Sequence, residues 1–146
     1  MKTAHLGTST EAINAAAVVL GVIFPEALEE VWRISNGLEL PGGWTLFPVF
    51  DASSARKTSN NIVYENTKGR WPYMPEDLVA IAGGMTGNCL VLQRFAGVLD
   101  PQIFLWDHET NTVRCWSRSL EYIKERALAR VAKVEKEIAR SKRSEA

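Results

Sequence analysis

The sequence predicts an α+β fold: one antiparallel or mixed β-sheet in a single domain, with helices at both ends of the chain packed on it. Three observations predict it. Apolar residues recur at helical spacing near both termini, and short apolar runs broken by Gly, Pro and Asn fill the middle. At 146 residues the chain fits one domain able to bury a hydrophobic core without staples. A composition of 46% hydrophobic and 23% charged residues excludes global disorder. Lys plus Arg and Asp plus Glu both number 17, so no net field steers the chain toward nucleic acid or an anionic membrane.

The elements follow in order. Thr8 and Glu11 have capping-box spacing ahead of a helix that presents Ile13, Ala17 and Leu20 on one face and stops at Gly21. Pro25 suits the first turn of a second helix, whose apolar face holds Leu28, Val31 and Trp32 and which ends at Asn36-Gly37. Strands are predicted at 38–40 and 44–50 around the Pro41-Gly42-Gly43 turn. Residues 51–63 read as one loose helix capped by Asp51 or Ser53, and 65–75 as an aromatic-containing loop. Leu78–Ala82 and Cys89–Leu92 read as strands around a Gly-rich turn, and Ile103–Trp106 and Val113–Trp116 as a second pair.

Leu120, Ile123, Ala127, Val131, Val134 and Ile138 form one stripe on a C-terminal helix of about 20 residues. Its first half is expected to dock on the sheet. Its distal half is expected to extend beyond the domain, where the stripe could support a weak homodimer. The domain is placed at 8–140, with 1–7 and 141–146 as flexible termini. Cys89 and Cys115 are expected to be reduced, buried thiols. The longest apolar run, 15–24, is about half of what a membrane span needs and ends at Pro25, and the start of the sequence does not read as a signal peptide. A cytoplasmic protein with no membrane contact is the expectation.

The run Leu20-Gly21-Val22-Ile23-Phe24-Pro25, followed by Leu28, Trp32 and Asn36-Gly37-Leu38, resembles the opening of the SMI1/KNR4 (SUKH) superfamily. So do 75–82, the Gly83–Asn88 turn into Cys89–Leu92, the segment Ile103–Glu109 and the helix after Trp116. The resemblance covers about residues 10–127. It implies the family's α+β fold with no catalytic residue set. Many bacterial members are similar to immunity proteins that bind and neutralise toxins, and fungal members are regulatory. An immunity or antitoxin-type protein is therefore the expectation, with a regulatory adaptor of the same fold as the alternative. The long, basic 118–143 tail departs from the family pattern and leaves a nucleic-acid-associated module as a further alternative, which the zero net charge disfavours.

The residues themselves point to binding more than to catalysis. Trp71, Tyr73 and Trp44 lie in or beside loops, where aromatic side chains give large, rigid contact area. Trp106, Asp107, His108 and Glu109 follow a strand at a hairpin end, where a rigid scaffold presents side chains. These seven are the candidate partner-binding residues, although the solvent-facing-turn reading of 107–109 stays open. His108 and His5 have no Ser or Cys placed by sequence to complete a triad. Two His and two Cys, none at ligand spacing, predict no metal site, and no cofactor is expected. The Gly83–Asn88 turn lacks the Lys-Ser/Thr of a phosphate loop and is followed by a strand.

Overall fold

The structure is a computed structural model that describes the backbone of residues 6–145 and the side chains of 6–143. Two helices, α1 (Thr10–Leu20) and α2 (Glu26–Ile34), precede the short hairpin β1 (Glu39–Leu40) and β2 (Trp44–Leu46). A 3-10 turn at Ala52–Ser54 and a one-turn helix α3 (Ile62–Glu65) lead to β3 (Leu78–Gly83), β4 (Cys89–Phe95), β5 (Val98–Leu99), β6 (Phe104–Asp107) and β7 (Thr112–Cys115). The chain closes on α4 (Leu120–Glu145). The sheet order is β1-β2-β3-β4-β6-β7, every pair antiparallel, with β5 folded back on the end of β4. The α+β architecture with N-terminal helices and a long C-terminal helix is the predicted one.

Alternation along the strands divides the interior into two layers. Val79, Ile81, Leu90, Leu92 and Leu105 face the helices, where Ile13, Leu28, Val31, Trp32, Leu120, Ile123 and Ala127 seal the main core. Leu78, Ala80, Cys89, Val91 and Trp106 face the other way and are covered by Met74 and Trp71 of the 66–77 loop. Lys124 Nζ reaches Glu30 Oε2 at 2.6 Å, tying α4 to α2.

Local chemistry revises several expectations. Ser9, not Thr8, caps α1 through its Oγ, which accepts from Ala12 N–H. Thr8 is buried and donates to Asp51 Oδ2 at 2.6 Å, so it anchors a long-range contact. The expected helix over 51–63 is two short pieces, because Asp51 and Asn61 each cap a separate turn. β2 ends at Leu46, as Pro48 brings no N–H to a ladder. The 97–101 segment holds β5, tightened by positive φ at Ala96 and Gly97, and Ile23 N–H and C=O pair with Gly97 O and Leu99 N–H.

At the termini, residues 1–5 of the expected flexible 1–7 lie outside the described residues, whereas Leu6 is held by Asn36 N–H at 2.7 Å. α4 runs on through Glu145 rather than loosening after 140. Cys89 is buried as expected, but Cys115 lies on the outer strand β7 and is exposed. No helix among the described residues is long and apolar enough to cross a membrane.

Candidate partner-binding surface

Antiparallel pairing brings three turns to one end of the sheet. Leu40 pairs with Trp44, Gly83 with Cys89, and Asp107 with Thr112, while Thr45 lies opposite Gly83 and Cys89 opposite Trp106. The 41–43, 84–88 and 108–111 turns are therefore neighbours, far apart in sequence and side by side in space.

Close backbone approach joins them. A Cβ on Gly84 would come within 2.8 Å of the Trp44 ring, so the indole lies directly on that turn. Gly87 has φ 91° and a Cβ there would meet the His108 ring at 2.9 Å, so two features exclude a side chain. Met85 projects from the same turn, 90% exposed, and its sulfur lies beside Gly43. Asn88 Oδ1 accepts from His108 N–H at 3.2 Å and sits 2.8 Å from His108 Nδ1. An oxygen already accepting one N–H sets Nδ1 as the protonated nitrogen, leaving Nε2 as the acceptor in the neutral ring. Asp107 Oδ1 accepts from the Glu109 and Thr110 amides, which fixes the turn.

The 66–77 loop supplies the rest. Trp71 stacks on His108 with ring centroids 4.6 Å apart, and Tyr73 lies 6.2 Å from Trp71. Arg70 pins this loop beneath: its guanidinium donates to the carbonyls of Leu78, Met74 and Pro75. Burial, with Arg94 nearby, lowers the Arg70 pKa without removing its charge. Asn66 donates to Ala80 O and accepts from Ala80 N–H, both at 2.8 Å, standing in for the strand that β2 is too short to provide. Under Trp71, burial pushes the Cys89 thiol up to about 11, so it is a packing group and not a nucleophile.

Of the seven expected contact residues, Trp44, Trp71, Tyr73 and His108 join one surface, with Glu109 exposed at its margin. Trp106 needs correction: it is 0% exposed, its Nε1 bonded to Asn111 Oδ1 at 2.8 Å, and it supports the surface from inside. Asp107 is half-buried and its Oδ1 is engaged by the turn amides. Met85 and Asn88 belong to the surface and were not singled out by sequence, although an exposed Met in a Gly-rich turn was a readable signal. Residues 41–44, 71–75, 84–88 and 107–112 contain no Lys or Arg. Among the described residues no group of three or more His, Cys, Asp or Glu could hold a metal ion.

A family model described as the SMI1 / KNR4 family (SUKH-1) matches residues 7–125. No curated protein and no solved structure gives a match.

Proposed function

The chain belongs to the SMI1/KNR4 family (SUKH-1), and from that premise we propose that this SUKH-like protein-interaction module is an immunity or antitoxin-type protein, one that neutralises a toxin by binding it. The observation that carries the binding site is the continuity of Trp44, Met85, His108, Trp71 and Tyr73 across three turns and a pinned loop. Interfaces concentrate their energy in such rigid aromatic anchors, which lose little entropy on binding. Glu109 and the lack of cations in these segments favour a partner that presents basic residues beside apolar ones. The role is binding without catalysis: Asn88 bonded to Nδ1 and Trp71 stacked on the ring hold His108 in one orientation, which suits a fixed contact residue.

Affinity capture from host lysate with the native chain and with Tyr73→Ala, Trp44→Ala and Glu109→Lys tests this. One stoichiometric partner should be retained, should arrest growth when expressed alone, and should be weakened at least ~30-fold by an anchor substitution. A partner without toxic activity moves the reading to a regulatory adaptor. A partner held equally by all three variants places the interface elsewhere.

A second reading rests on Arg126, Arg130 and Lys133, which line one groove with Gly37, Leu38 and Glu39. It predicts nucleic-acid binding that collapses with salt. Glu39 within that groove and the zero net charge count against it.

A further inference from the structure

α1 departs from the rule that a surface helix is polar on its outer side. Its sequence TEAINAAAVVL has one charged residue, Glu11, and it buries Ile13 and Ala16 against the core. On the outside Val18 is 80% and Val19 64% exposed, and Ile23, just beyond the helix, is 64% exposed. Val98 is bridged to Ile23 and paired with Phe95, so these exposed apolar residues continue the patch along the β4–β5 hairpin. On the other flank Val19 shares a groove with the exposed Phe50. Beyond the exposed Thr10, Glu11 and Asn14, the C-terminal half of α1 is thus an apolar ridge with a groove on each side, and no charged residue lines either groove.

We propose that two copies of this chain associate through α1 about a two-fold axis. The Val18–Val19 ridge of each copy seats in a groove flanking α1 of the other. Three observations favour a second copy. The six exposed side chains offer at most roughly 600–700 Å² per copy, so a symmetric pair that covered both flanks would bury about 1,300 Å², the lower part of the range of stable interfaces. A ridge flanked by grooves is self-complementary, as an isologous contact requires, and Ala12 and Ala15 let the helices approach closely. The near absence of charge means that like surfaces meet without repulsion. A membrane-surface helix would instead carry Lys or Arg beside its apolar face, and α1 has neither. The distal stripe of α4 is the poorer contact between copies, because charges of both signs, Lys133, Glu135, Lys136 and Glu137, border Val134 and Ile138 and would have to be desolvated.

Sedimentation velocity of the full chain over about a hundredfold concentration range reads the association directly. The mass should rise from 16.3 kDa toward twice that value. Val18→Glu and Val19→Glu should each hold the protein at the monomer mass with an unchanged circular dichroism spectrum, because both positions are exposed. Val134→Glu should leave the association intact. A native chain that stays at 16.3 kDa throughout overturns the proposal, and so does an association abolished by Val134→Glu but kept by Val18→Glu. Co-flotation of the native chain with neutral phosphatidylcholine vesicles, lost in Val18→Glu, also overturns it. Tyr73→Ala should not change the mass, which separates this contact from the hairpin-end surface.

Discussion

The two faces of the sheet are closed by different means. The face under the helices is sealed mainly by apolar side chains, because α1, α2 and α4 satisfy their own backbones; the Trp32 Nε1–H bond to Phe47 O and the Lys124–Glu30 pair are added ties. The opposite face is covered by the 66–77 loop, whose backbone has no ladder of its own. There Asn66 and Arg70 are recruited to bond Ala80, Leu78, Met74 and Pro75. The candidate surface lies on the loop-covered side for this reason. A loop held by a few polar side chains leaves Tyr73 exposed and Trp71 half-exposed over the core it covers, whereas Trp32 under the helices is fully buried.

The contrast can be broken at either face. The largest effect is expected at the helix-covered face: Trp32→Ala should cost about 3–5 kcal/mol in urea melts, since it opens the main core and loses the bond from Nε1 to Phe47 O. A loss near that of an exposed substitution would contradict the packing described. Next, Arg70→Met should cost about 2–3 kcal/mol by stranding the carbonyls it bonds. In a Cys115→Ser background it should also make Cys89 open to alkylation in the folded protein. If hydrogen exchange then quickens equally in α2 and in 66–80, the two faces are not independent.

Asn88→Ala is the milder test, expected to cost about 1 kcal/mol by releasing His108. Partner affinity should fall by more than stability does, because the His108–Trp71 stack loses its anchor. The smallest effect concerns Glu65, whose carboxyl burial raises above its ordinary 4.5. Folding then favours the protonated form, so its contribution is present below the ordinary value and lost as pH rises through the folded one. Glu65→Gln should therefore stabilise the protein at neutral pH by about a few tenths of a kcal/mol, the group being partly exposed, and the gain should vanish below pH 4.5. Denaturant midpoints at both pH values would show it.

Much of this molecule was readable one residue at a time. The Pro25 entry and Leu28, Val31 and Trp32 announce α2; the 120–127 stripe announces the docked part of α4; the Gly-rich turns announce the strand pairs. Family membership followed from the same runs. The aromatic loop residues could also be named, because Trp and Tyr near Pro and Gly are unusual enough to notice.

Sequence alone thus determined the α+β class, the helix faces and most of the candidate aromatic residues, since each depends on periodicity or on the local chemistry of a few neighbours. Tertiary structure alone decided that Trp106 is buried while Tyr73 is exposed, that Met85 and Asn88 join the surface, and that Thr8 binds Asp51 instead of capping α1. It also decided that the C-terminal end of α1 keeps Val18 and Val19 on its outer face. The physical reason is common to all four. Burial and contact depend on which distant segment covers a residue, and antiparallel register, not local pattern, brings positions 44, 85 and 108 together.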